Sequence, residues 1–144
     1  MIGKVFSPPD ISVVLPVYRT AEFLDPLYQR LSSVLKSQLL SYEFIFVDDA
    51  SPDNAQEVLQ RLVRQDPDVR IVSLNTNHGQ HEAVMEGFRR AQGKIIAVMD
   101  TDLQDEPEVI PELLADLNEH HPIVFAGRVG KYESAFRLWC SKLH

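Results

Sequence analysis

Short runs of β-branched and aromatic residues alternate with longer amphipathic segments along almost the whole chain, and few folds accept that rhythm. Ile11-Ser-Val-Val-Leu-Pro-Val17 reads as a buried strand, with Pro16 near its end, where a ladder donor can be spared. Leu24, Leu27, Leu31, Val34 and Leu35 recur at helical spacing between Glu22 and Gln38. Tyr42 to Val47 is a second strand, and Asp53 with Gln56 reads as a capping pair opening a helix through Val58, Leu59, Leu62 and Val63. Val69 to Leu74 is a third strand. Gln80 to Ala91 is a third helix, with Gly93 placed to stop it. Lys94 to Met99 is a fourth strand, and a fourth helix is expected from Pro107 or Glu108 to about Glu119, with Pro111 tolerable in its first turn. Ile123 to Ala126 is a short fifth strand, and Ser134 to Leu143 a last helical segment.

Strand–helix alternation of this kind implies an α/β fold with a doubly wound, mostly parallel sheet, right-handed crossovers and helices on both faces. In the order 3-2-1-4 the first strand lies between the second and the fourth, and ligands sit beyond the carboxyl ends at that switch point. Pro16-Val17-Tyr18, Asp48-Asp49 and Asp100-Thr101-Asp102 fall there. One crevice therefore gathers four carboxylates and an aromatic ring.

Composition narrows the class. The 144 residues are 44% hydrophobic and 24% charged, the values of one globular domain, which excludes a disordered tail. No apolar stretch approaches the length of a membrane span, and Met1 to Pro9 lacks the apolar core of a secretion signal. The lone Cys140 excludes a disulfide framework and a multi-cysteine zinc site, and fits a reducing, cytoplasmic compartment. A net charge of −7 argues against nucleic acid as a partner. That charge is uneven: from Arg128 onward four basic residues face Glu133 alone. An acidic body with a basic tail suits a cation site beside an anion-receiving surface, and equally a solvated helix end.

Two D-x-D triplets occur among eleven aspartates, about what chance allows. Asp66-Pro67-Asp68 sits in a helix-to-strand turn and reads as structural. Asp100-Thr101-Asp102 follows an apolar strand, where the ligand rule puts function. Clustered oxygen donors without cysteine suit a hard cation, Mg²⁺ or Mn²⁺, which neutralises a diphosphate and so favours departure of a nucleoside diphosphate. Asp48 or Asp49 would accept a hydrogen bond from a base or ribose, or cap the loop over Ser51-Pro52-Asp53. His78 and His81 have no third ligand placed to complete a zinc site. His120 and His121 read as closing a helix. The chain has no G-x-S-x-G, G-x-G-x-x-G or Walker-type G-K-[ST] sequence, so hydrolase, dinucleotide and P-loop readings lack their carriers.

Taken in order, Ile11 to Tyr18, Phe44 to Asp53, Asn77-His-Gly-Gln80 with Ala83 and Gly87, Asp100-Thr-Asp-Leu-Gln-Asp-Glu-Pro-Glu108 and Gly127-Arg128 closely resemble the family-2 inverting glycosyltransferases of the GT-A fold. The run from Asp100 to Glu108 looks most like the branch that glycosylates polyprenyl phosphates. The resemblance implies that Pro16 and Tyr18 line a nucleoside pocket, with Asp48 or Asp49 reading the base and Gln80 beside the donor. Asp100 and Asp102 would engage ribose, metal and diphosphate, with Gln104 completing the metal shell, and Arg128 would meet a phosphate of donor or acceptor. Where the family often has Asn-Glu after the tyrosine this chain has Arg19-Thr20, so the glutamate's nucleoside contact is not carried over.

The expected reaction is inverting transfer from a UDP- or GDP-sugar to a polyprenyl phosphate, at the cytoplasmic face of a membrane. A lipid phosphate is already an anionic nucleophile, whereas the alternative acceptor, a sugar hydroxyl of a surface polysaccharide, needs a general base. Asp105 is one candidate, or a cap for the following helix, and many hydroxyl-acceptor relatives place that acid further along the chain. Relatives of this kind continue into acceptor-binding and membrane segments. The resemblance therefore implies that residues 1–144 are the catalytic core alone, able to bind donor without turnover, with contact to the membrane, and possible self-association, belonging to the full-length protein. Phe136, Trp139, Cys140 and Leu143 share one face of the last helical segment, which suits an interfacial helix or packing against a partner. Alternatives of other classes are a non-catalytic nucleotide-sugar-binding module and a phospho-acceptor signalling domain. The latter would want an acidic pair, an aspartate and a lysine where Tyr18, Asn75 and Arg128 stand.

Overall fold

All seven residues of β1 (Ile11–Val17) are buried, which only a strand covered on both faces can be. The same holds for β2 (Tyr42–Asp48). The computed structural model describes residues 7–127 and, by their backbone, residues 139–142. Its sheet runs in the order β3-β2-β1-β4-β6-β5, with β3 (Val69–Ser73), β4 (Ile95–Val98), β5 (Ile123–Phe125) and β6 (Trp139–Lys142). The first four strands are parallel, with Ile11 opposite both Tyr42 and Ile95, as the alternating pattern predicts.

One face carries α1 (Ala21–Ser37) and α2 (Ala55–Gln65), and with them α4 (Ile110–Asp116), entered through a 3₁₀ turn over Pro107–Val109. Leu24, Leu27, Leu31 and Leu35 of α1 are wholly buried there against Val13, Leu15 and Phe44 of the sheet. The other face takes α3 (Gln80–Arg90), whose Ala83 and Val84 meet Val14, Ile45 and Val47. Gly87 makes this approach possible, since a β-carbon there would stand 2.2 Å from Cγ1 of Val14.

Asp66, in the turn read as structural, is buried and binds three elements together. Its Oδ2 accepts the hydroxyls of Tyr28 in α1 (2.8 Å) and Tyr42 in β2 (3.0 Å), and its Oδ1 accepts the Asp68 amide. Burial, and then the Asp66 carboxylate, push the Tyr28 phenol up to about 12, so it stays a donor throughout the physiological range.

Three local expectations are corrected. Gln56 does not cap α2; its amide reaches the Asp48 carboxylate (2.6 Å) and the Ser73 hydroxyl (2.6 Å) instead. The fourth helix stops at Asp116 because the Asn118 side chain accepts the amides of His120 and His121, so those histidines lie in a turn beyond it. Residues 139–142 form a strand rather than helix, antiparallel to both β4 and β5, because the open edge of β4 offers a complete ladder. That removes the interfacial-helix reading for Trp139 and Cys140, while Phe136 and Leu143 lie outside the described residues.

The end of α1 carries a testable mismatch. Leu40 N–H donates to Leu35 O and Leu39 N–H to Lys36 O, a Schellman closure whose left-handed position is held by Leu39 (φ 56°), 92% exposed. A left-handed non-glycine residue costs about 1–2 kcal/mol, part of which glycine gives back through its freer unfolded chain. Leu39→Gly is therefore expected to stabilise the fold by about 1 kcal/mol, read as a thermal midpoint raised by roughly 3 °C. A lowered midpoint would contradict this account.

Candidate functional site

Beyond the carboxyl ends of β1, β2 and β4 the chain encloses a cleft of about 290 Å³. Its lining comprises Pro16, Val17, Tyr18 and Thr20 from the first strand end, Asp49 from the second, and Asp100, Thr101 and Asp102 from the fourth. Asn77, Gly79, Gln80 and Ala83, at the start of α3, close the remaining side. The switch-point rule thus locates the cleft, and six of the predicted residues (Pro16, Tyr18, Asp49, Gln80, Asp100 and Asp102) meet in it.

The paired aspartates after β2 divide. Asp48 ends the strand and turns away from the cleft: its carboxylate accepts the Ser51 amide (2.9 Å) and the Gln56 side chain. Asp49 lines the cleft while remaining 3% exposed, and its two oxygens accept the amides of His78 and Gly79, each at 2.8 Å. It therefore carries the loop that delivers Gln80, whose side-chain amide donates to Oδ1 of Asp100.

The loops after β1 and β2 are also tied to each other. Arg19 N–H donates to the Ser51 hydroxyl (2.7 Å) and Ala21 N–H to Asp53 (3.0 Å). Burial alone would raise the Asp53 carboxyl. Donation from the Ser51 hydroxyl and from the Ala21 and Ala55 amides outweighs that and holds it below the ordinary aspartate value.

Left-handed backbone marks all three strand ends. Among the described residues, Arg19, Ala50 and Leu103 have φ between 56° and 59° without being glycine, and each directly follows a cleft residue: Tyr18, Asp49 and Asp102. Such residues are strained, and they persist where the surrounding contacts over-determine the turn. The Arg19 guanidinium also lies 5.3 Å from the centroid of the Tyr18 ring, which is 40% exposed.

Asp100 and Asp102 are the donors available for a metal. No group of three or more His, Cys, Asp or Glu side chains suited to a metal is found among the described residues. A Mg²⁺-type site does not need one, since it commonly takes one or two carboxylates and completes its shell with substrate phosphates and water. Two half-buried carboxylates in a ligand-sized cleft fit that requirement. Gln104 and Asp105 do not line the cleft; the Gln104 amide donates to Oδ1 of Asp102 at 3.1 Å, closing the turn beneath it. Arg128 lies outside the described residues.

Thr20 and Thr101 carry no functional signal in the sequence. Both line the cleft, and their hydroxyl oxygens are 2.7 Å apart. A threonine between two aspartates has no spacing signal; only its burial singles it out.

Comparison with known proteins agrees with this architecture. The chain is 39% identical over 134 residues to the undecaprenyl-phosphate 4-deoxy-4-formamido-L-arabinose transferase of Pseudomonas fluorescens (strain SBW25), covering 92% of this chain and 39% of that protein. The protein of that name from Proteus mirabilis (strain HI4320) is 40% identical, with 92% and 41% covered. The chain thus spans about two fifths of the length of these relatives. Among solved structures, the mannosyltransferase PcManGT from Pyrobaculum calidifontis, in complex with GDP-Man and Mn²⁺, aligns over 67% of this chain and 28% of its own, with 27% identity and a TM-score of 0.52. S. aureus TarS in complex with UDP-GlcNAc shares the fold at 20% identity and a TM-score of 0.66, with 88% and 36% covered. Residues 12–143 match Glycosyl transferase family 2, and the chain belongs to that family.

Proposed function

We propose that residues 1–144 form the nucleotide-sugar-binding core of an inverting glycosyltransferase that moves a sugar from a nucleoside-diphosphate donor to a polyprenyl phosphate. The observation that carries this reading is the meeting of Asp100 and Asp102 with the Tyr18 ring in one cleft at the sheet's switch point. The names of the curated relatives support the lipid-phosphate acceptor, and the GDP-Man and Mn²⁺ bound to PcManGT support a nucleotide-sugar donor with a divalent cation.

Transfer is a single in-line displacement: a phosphate oxygen of the acceptor attacks the anomeric carbon as the bond to the diphosphate breaks. Tyr18 and Pro16 form an apolar wall for the nucleoside. Asp49 holds the Asn77–Gln80 loop against it, and Gln80 orients Asp100. Mg²⁺ or Mn²⁺ held by Asp100 and Asp102 would neutralise charge on the departing diphosphate. A sugar-hydroxyl acceptor would need a carboxylate within reach of the hydroxyl proton. A phosphate acceptor needs no base. It does place the reaction at a membrane surface, which we assign to the cytoplasmic face, although no helix among the described residues is long and apolar enough to cross a membrane.

Calorimetric titration tests the donor site directly. With Mn²⁺ present, either UDP-glucose or GDP-mannose is expected to bind the folded chain. EDTA, or Asp102→Asn, should weaken that binding by about tenfold or more, equivalent to about 1.4 kcal/mol. Failure of both nucleotide sugars to bind the folded chain would refute the reading.

A further inference from the structure

The hydroxyl of Thr101 completes the sheet where β4 leaves it. β4 pairs with β1 up to Val14 opposite Val98, and the Met99 amide still donates to Val14 O at 3.1 Å. Continuing a parallel ladder would bring the amide of residue 101 to the Pro16 carbonyl. The chain turns away instead, and Oγ1 of Thr101 donates to Pro16 O at 2.9 Å. Thr101 is 3% exposed, so this bond is sheltered from water.

The direction of the adjoining bond follows by counting protons. A threonine hydroxyl has one proton, and that of Thr101 goes to a carbonyl that can only accept. Thr20, 2.7 Å away, must therefore donate to Thr101. The result is an ordered relay, Thr20 to Thr101 to Pro16, joining the loop after β1 to the residue flanked by the two cleft aspartates. With Thr101 held, Asp100 and Asp102 leave the anchored point on either side of it, and both reach the cleft.

We propose that Thr101, with Thr20 donating to it, is a positioning residue that sets the two carboxylates for the metal-bound diphosphate. This rests on the donor site proposed above. The Gln80 contact constrains Asp100 from the other side of the cleft, but among the described contacts only the relay links the triplet's own centre to the central strand.

The test compares Thr101→Val, which keeps the shape without the hydroxyl, with Thr101→Ser, which keeps the hydroxyl. Affinity for whichever of UDP-glucose or GDP-mannose binds in the presence of Mn²⁺ is measured calorimetrically, below the melting transition of every variant. Thr101→Val is expected to bind at least about tenfold more weakly and Thr101→Ser to stay within about threefold of the parent chain. A merely structural role would lower the thermal midpoint of Thr101→Val and leave the affinity of its folded form unchanged; that result overturns the proposal, as does equal loss in both variants. Should Thr101→Val not fold, Thr20→Val removes the outer bond alone and is expected to weaken binding by about threefold, with parental affinity overturning the proposal. A folded parent chain that binds neither nucleotide sugar overturns the donor reading and this one together, whereas parental binding with an unaffected Thr101→Val overturns this one alone.

Discussion

Glu43→Ala is expected to remove about 2–4 kcal/mol of stability, a large share of what a domain of this size possesses. Glu43 sits on β2 opposite Ser12 of β1 and is 6% exposed. Its Oε1 accepts the Ser12 hydroxyl and the Gln92 amide, both at 2.6 Å, and its Oε2 accepts the Arg70 guanidinium at 2.9 Å. Deleting the carboxylate leaves the buried Ser12 hydroxyl without its acceptor and removes the acceptor of the Gln92 amide. Arg70, more than a third exposed, can turn to water, so the loss comes chiefly from the first two. In urea the unfolding midpoint should fall by roughly 1–2 M, given a slope of about 1–3 kcal/mol per molar. A shift under about 0.5 M would show that the network contributes little.

Gly93→Ala is the second large effect, expected to cost about 3 kcal/mol. A β-carbon at Gly93 would lie 2.5 Å from the Ser12 backbone nitrogen, 2.6 Å from its hydroxyl and 2.8 Å from the Ile11 carbonyl carbon. Two of those atoms belong to the backbone of a central strand and cannot rotate aside. The segment must back away, breaking the 2.7 Å bond from the Gly93 amide to the Ser12 hydroxyl. Because Glu43 and Gly93 share Ser12, the double variant should lose less than the sum of the single losses. Denaturant melts of all three variants measure this coupling, and strict additivity would mean that Ser12 does not link them.

The parallel core was readable because its evidence is redundant. Apolar runs such as Val13 to Leu15 and Phe44 to Val47 are too continuous for a half-exposed strand, and each is followed by a helix-spaced segment. The site was readable for a related reason, since a doubly wound sheet has few places to put polar residues that follow apolar strands. Resolution was lost wherever a choice depended on a partner distant in sequence. Nothing local tells Asp48 from Asp49; the division follows from Gln56 claiming one and the His78–Gly79 amides claiming the other. Trp139 to Lys142 has apolar spacing compatible with a helical face, yet β4 and β5 on either side impose extended pairing. Gly93 reads locally as a helix stop, yet α3 already ends at Arg90 with Ala91 as its cap. The role of Gly93 is to let the chain pass against Ser12, which is visible only once β1 is in place.

The pairing of β6 with β4 also bears on how the protein is made. Val98 and its partner Trp139 are separated by roughly forty residues, so during synthesis the strand leading into Asp100 emerges well before the strand that covers its outer edge. For that interval Ile95 to Val98 presents an unpaired apolar border to the surroundings, the kind of surface that recruits other chains. Nascent chains interrupted between these two strands would expose that border on the ribosome, where a chaperone that shields strand edges would act.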